Sequence, residues 1–335
     1  MNNARKNLST IGRFTELLTA SLVVLFLPGC SSLSSVFNND NSDRVVKVLT
    51  EEKPTDSVIA EIATEITKQT KSDDSAPSWL KRTDISFEGT SDGKPIGSIE
   101  TVQPIFQSPD KLTHTYFWQG RYARRASNNT YNAGTGYRYL NDDNTALYGI
   151  NIFYDRTSEY SHQRVGLGLE LVGELVTIRS NYYNAMSGSN SVVEGSVTQT
   201  EQALDGFDYE IDVPVPYAPW LRLSANGFKY EAVDGQNDLD GERYAVMGNI
   251  TPNITLELGA TDDNYNGTQE FAKLTWRSGE GSNNGIQDSL FGGDNEADSG
   301  AFKTRDLKKA TLDKVRRNND VIRQVSGGVV IGRTD

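Results

Sequence analysis

From Asp84 to Arg277 the chain alternates between apolar and polar or small residues with a period of two. In Arg164-Val165-Gly166-Leu167-Gly168-Leu169-Glu170-Leu171, the residues Val165, Leu167, Leu169 and Leu171 share one face. Arg164, Glu170 and two glycines share the other. Tyr148 to Asp155, Phe207 to Val213 and Ile254 to Ala260 repeat the scheme. Side chains of an extended strand point alternately to opposite faces, so this pattern predicts β-strands with one apolar and one polar face. Twelve such segments are predicted, centred near Ser86, Thr101, Phe117, Thr135, Asn151, Leu167, Arg179, Tyr209, Ala225, Met247, Glu257 and Leu274.

Two architectures use such strands. A soluble sandwich turns the apolar face into a core, whereas a membrane barrel turns it out to lipid and lines a wet lumen with the polar face. The segments run about ten residues, which suits a tilted strand crossing a bilayer. Tyr and Trp recur along them (Tyr116, Trp118, Tyr137, Tyr139, Tyr182, Tyr217, Trp220, Tyr230, Trp276), many near strand ends, where an aromatic girdle sits. The polar faces mix both charge signs. Arg138, Arg164, Glu170, Arg179, Glu210 and Glu257 are the predicted lumen residues. The fold class read from this pattern is all-β: a transmembrane antiparallel β-barrel of about 12 strands, and an even number brings both ends of the strand row to one side. The segments 187–202 and 231–242 read as polar loops; Asp234, Asp238, Asp240 and Glu242 make the second a solvated acidic one.

The flanks differ from the barrel. Arg5, Lys6 and Arg13 precede an apolar run from Leu17 to Leu27, which ends at Pro28-Gly29-Cys30. This is the order of an export signal, and the run is short for a membrane helix. Leu27 to Cys30 looks like a lipobox, which makes Cys30 the candidate lipidation site; an ordinary cleaved signal is the alternative. Residues 31–80 read as a Ser/Asn-rich tether and a short amphipathic helix. The helix is carried by Val58, Ile59, Ile62, Ala63 and Ile66. Residues 280–335 form a linker or plug tail after a barrel at 81–279. Lys308, Lys309, Lys314, Arg316, Arg317 and Arg323 make the tail basic in a chain of net charge −12. An acidic lumen attracts such a tail, and a tail left free in the periplasm is the alternative.

Composition adds limits. Hydrophobic residues make up 36%, yet there are 15 Tyr and 30 Gly, which fits many short strands better than the long apolar runs of an α/β enzyme. The negative balance excludes a nucleic-acid face. His114 and His162 are the only histidines; His162, in a predicted turn, reads as a surface residue. No catalytic, cofactor-binding or metal-binding constellation is expected.

At the level of motifs, Gly149 to Gly188 (GINIFYDRTSEYSHQRVGLGLELVGELVTIRSNYYNAMSG) resembles the core of the inverse autotransporter β-domain, the translocator of intimin and invasin. Tyr131 to Leu140, Asp205 to Leu223 and Leu312 to Asp320 are similar to further segments of that family in the same order. The resemblance implies a cell outer membrane barrel of a Gram-negative bacterium with a periplasmic N-terminus. It also implies a linker threading the lumen, and as partners outer-membrane lipid, the barrel-assembly and export machinery and a surface ligand reached through the loops. With fifteen residues after Asp320, the expected form is passenger-less, with a structural or surface-attachment role. A small outer-membrane pore is the other function left open.

Overall fold

A computed structural model describes residues 78–277 apart from 92, 110, 127 and 195–196, and residues 301–331 apart from 303 and 326–327. The signal segment, Cys30, the tether and the helix expected within 31–80 lie outside the described residues. No described helix is long and apolar enough to cross a membrane; the crossing is made by strands.

Twelve strands close into one barrel: β1 (Thr83–Thr90), β2 (Ile96–Gln107), β3 (His114–Arg125), β4 (Asn128–Leu140), β5 (Ala146–Thr157), β6 (Gln163–Gly173), β7 (Thr177–Ala185), β10 (Gly206–Val215), β11 (Ala218–Tyr230), β12 (Leu239–Thr251), β13 (Ile254–Asp263) and β14 (Gly267–Arg277). Each pairs antiparallel with its neighbours, and β1 closes on β14 through registers such as Ile85 with Trp276. Every predicted centre falls inside its own strand. Closure removes the free edges that would otherwise have to find partners in hydrocarbon.

The alternation sorts the wall as the pattern predicts. Leu167 and Leu169 stand 51% and 61% exposed on the outer face, while Arg164 and Asp155 are fully buried inside. Outward rings gather near both strand ends. At one end Phe106, Tyr116, Tyr137, His114, Tyr139 and Tyr148 contact in sequence around the wall; towards the other, Tyr122 meets Tyr131. Eight residues along β4 separate Tyr131 from Tyr139, about 27 Å of strand, which tilt reduces to roughly the height of a bilayer's apolar band. Tyr230 departs from its expected place in this girdle. It points inward, fully buried, and stacks on Tyr183.

The near end carries the start of β1, the end of β14 and the turns 108–113, 141–145, 174–176, 216–217 and 252–253. The far end carries the turns 91–95, 126–127, 158–162, 231–238 and 264–266, and here the stretch 187–202 corrects the sequence reading. It is not an open loop: β8 (Asn190–Glu194) and β9 (Val197–Ala203) form a hairpin. That hairpin joins β15 (Ile322–Val325) and β16 (Gly328–Ile331) in a second sheet of order β16-β15-β9-β8. Its thin alternation, mostly Ser, Thr, Gln and Val, hid it from a search for apolar faces.

Candidate functional site

The bore is filled by the chain's own C-terminal segment. Near the near end, Arg305 donates from Nε and Nη2 to the Gly173 carbonyl at 3.1 and 2.9 Å, and the single-turn helix α1 (Leu307–Ala310) follows, capped by Asp306. Leu307 and Ala310 pack with Leu140, Leu147 and Val172. Mid-bore, Val315 packs with Val102, Phe117 and Phe153. At the far end Ile322 joins Tyr183, Leu204, Tyr230 and Leu239. Each of these three apolar contacts removes side-chain area from solvent.

Between them the backbone is held by side chains of the wall. Arg138 donates from Nη1 to the carbonyls of Thr311 and Asp313 at 3.1 and 2.6 Å. Gln119 and Val315 exchange two bonds, the Val315 amide donating at 2.9 Å. Arg164 Nη2 donates to Asn318 O at 2.8 Å, and Asn132 Nδ2 to Asn319 O at 2.9 Å. The Asn318 amide donates to Tyr183 Oη at 2.8 Å, and Asn318 Nδ2 to Tyr230 Oη at 2.8 Å. An extended segment leaves its own N–H and C=O groups unpaired, and the inward polar faces of the strands supply the partners.

Charge organises the same space. An alternating series of eight side chains runs along the wall: Arg138, Glu170, Arg179, Glu210, Arg316, Glu257, Arg243, Glu88. Successive separations are 2.9, 3.8, 2.6, 3.2, 3.5, 3.5 and 3.7 Å. Seven members belong to strands; the eighth, Arg316, comes from the tail and bridges two glutamates. Below this series Lys314 pairs with Asp84 at 2.6 Å, and above it Asp320 pairs with Arg125 at 2.9 Å. Gly134 and Gly136 set the depth of the wall. A Cβ on either would lie 2.4 Å from the Phe153 or Phe117 ring, and those rings lie beneath Arg317 and Arg138, each 4.6 Å from its guanidinium carbon.

The six residues predicted for the lumen, Arg138, Arg164, Glu170, Arg179, Glu210 and Glu257, all lie on the inner wall. Sequence reasoning did not single out Asp84, Asp155 or Asp208, although each sits at an inward position of its strand; alternation marks the face but not the partner. His162 corrects the sequence reading: it is fully buried, not a surface residue. The β8–β9 hairpin lies over its turn, leaving Nε2 3.6 Å from the Glu201 carboxylate and Nδ1 3.4 Å from Ser187 Oγ. His114 is exposed on the outer wall, within 2.8 Å of Tyr137 Oη. In the acidic far-end turn, Lys229 Nζ lies 2.9 Å from Asp238, and its hydrogen bond holds that carboxyl below the usual carboxylate range.

A closed barrel with an apolar exterior and a polar, occupied interior defines an outer-membrane β-barrel protein. Residues 32–319 match the family model of the inverse autotransporter β-domain, and the chain belongs to that family. It is 24% identical over 237 residues to the inverse autotransporter adhesin YeeJ of Escherichia coli K12, a match covering 67% of this chain and 9% of that protein. It is also 24% identical over 185 residues to an invasin of Yersinia enterocolitica, covering 53% of this chain and 21% of that protein. The chain thus spans about a tenth and a fifth of the length of these curated relatives. A solved chain from work on the in-meso crystallization of membrane proteins shares the fold at a TM-score of 0.58 and 20% identity, over 73% of this chain and 99% of that one.

Proposed function

We propose that this chain is an inverse-autotransporter translocator barrel in its resting state. Its linker closes the bore, and its far end serves in surface attachment rather than catalysis. In this reading the near end faces the periplasm and the far end faces outward. The observation that carries it is the seating of 305–325, which enters at the near end, completes the charge series through Arg316 and leaves as β15 paired with β9. A segment threaded from one end to the other is what a barrel that passes its own linker would retain. Among the described residues the β8–β9 and β15–β16 hairpins are then the outermost, and they offer a partner a surface at the far end. The ion-paired, apolar-sealed segment favours a closed bore over an open pore.

Tags placed in intact cells test the reading. A tag between β8 and β9 should be labelled by an impermeant reagent, and a tag in 142–144 only after permeabilisation. The reverse labelling would overturn the orientation. Replacing 187–202 by a short turn should reduce adhesion of expressing cells without changing barrel levels; unchanged adhesion would remove the attachment role.

A further inference from the structure

We propose that the bore between its middle and the far end holds a guanidinium-specific socket, of which Arg317 is the resident occupant, and that this socket seats the tail. The proposal rests on the reading of the tail as a linker held in the bore. Asp155 is its floor. Arg317 donates from Nη1 to Oδ1 at 2.8 Å and from Nη2 to Oδ2 at 2.5 Å, so each carboxylate oxygen receives a separate N–H. The carboxylate is aimed before the tail arrives, because Asn132 Nδ2 donates to Oδ1 at 2.8 Å and Arg164 Nε to Oδ2 at 2.9 Å.

The walls are flat. The Phe153 ring lies 4.6 Å from the Arg317 guanidinium carbon and the Tyr183 ring 5.4 Å. Gly166 supplies the remaining space: a Cβ there would stand 2.9 Å from Arg317 Nη2. A planar, delocalised cation with forked N–H groups matches this shape, whereas an ammonium is a compact, strongly hydrated point charge. Depth adds to the discrimination, since the Arg317 and Asp155 side chains are 1% and 0% exposed and water is not available to repair a poor fit.

The neighbouring Arg316 provides an internal contrast. Its closest approaches to Glu210 and Glu257 are 3.2 and 3.5 Å, and its side chain is 28% exposed, an arrangement that asks only for positive charge. The other charged groups facing the socket are Arg164, which shares Asp155, and Asp208, which accepts from Tyr183 Oη at 2.6 Å and from Asn181 Nδ2 at 2.7 Å. Two adjacent arginines therefore have different tasks: one reads charge, the other reads shape.

Chemical rescue of the full-length chain in lipid tests the socket. Arg317→Ala should lower the thermal midpoint of the folded, fast-migrating form and admit ion current. Millimolar guanidinium chloride should raise that midpoint and suppress the current, while leaving the parent unchanged or slightly destabilised. Ammonium at equal ionic strength should do neither. Arg317→Lys should resemble Arg317→Ala without guanidinium. Adding Asp155→Asn should weaken rescue by at least about tenfold, as expected when a bidentate charged partner is lost. Should Arg317→Ala not fold, Gly166→Ala decides: it keeps every charge yet crowds Arg317 Nη2, and should lower the thermal midpoint of the closed form. A lysine variant as closed and stable as the parent, rescue by ammonium, rescue indifferent to Asp155, or a silent Gly166→Ala would overturn the proposal. Failure of the linker reading looks different, because the parent itself would then conduct like a chain lacking 306–335.

Discussion

Glu170 offers the sharpest test of how the inner wall is held together. It accepts from Arg138 at 2.9, 3.0 and 3.2 Å, with both side chains almost fully buried, and lies 3.8 Å from Arg179. Arg179 has Glu210 in reserve at 2.6 Å, but Arg138 has no second carboxylate among the described residues. At about 3 Å and an effective dielectric of about 20, the attraction lost on Glu170→Leu is about 5–6 kcal/mol. Part of that is offset because Glu170 no longer pays its own desolvation. The stranded Arg138 charge leaves a net loss of about 3–5 kcal/mol. Removing both charges in Arg138→Met with Glu170→Leu should recover much of it. Recovery stays incomplete, since the Thr311 and Asp313 carbonyls lose the donor Arg138 gave them, a cost of about 1–3 kcal/mol for each group left unpaired. The double variant should therefore be less damaging than the two single losses combined, with a coupling of at least about 2 kcal/mol. Urea unfolding in lipid vesicles, followed by Trp fluorescence and by the mobility of unheated samples in SDS gels, measures all four proteins. A loss below about 1 kcal/mol for Glu170→Leu, or simple additivity in the double variant, would refute the claim that this pair carries the wall.

Three further outcomes are expected. Leu167→Arg, on the outer face near the middle of β6, should destabilise the barrel by about 2–4 kcal/mol in vesicles, and equal stability would mean that this face does not meet lipid. Deleting 306–335 should open a conductance in planar bilayers that the full chain lacks; steady current from the full chain, unchanged by the deletion, would make the pore reading the better one. Cys30→Ser should leave an unprocessed precursor if Cys30 is acylated after export, and mass spectrometry finding cleavage elsewhere with an unmodified Cys30 would end the lipoprotein assignment.

Much of the fold was legible before any tertiary contact was known. Alternation in segments such as Arg164 to Leu171 reports which face of a strand is wet, because the side-chain period of an extended backbone is two and does not depend on the neighbouring strand. Closure follows from an apolar exterior, since an open edge has no partner in hydrocarbon. The basic character of residues 308–323 likewise marked the tail as a partner for the lumen's carboxylates. The wall carries arginines as well, so Lys314, Arg316 and Arg317 each meet particular carboxylates rather than a uniformly acidic lining.

What tertiary structure alone decided is which inward groups meet. Asp155 and Arg317 are 162 positions apart, Arg138 and Glu170 are 32 apart, and nothing along the chain ties either pair together. Such meetings depend on strand register, on the stagger needed to close the barrel and on where the tail stops, and each is a property of the whole wall. His162 and the hairpin at 187–202 were misread for the same reason. A histidine in a polar turn is buried only because a second sheet covers it, and that sheet forms only when β15 emerges from the bore beside β9. The strands and their two faces belong to the local sequence; the ion series, the socket and the covered turn arise only when distant segments are brought together in the closed and threaded barrel.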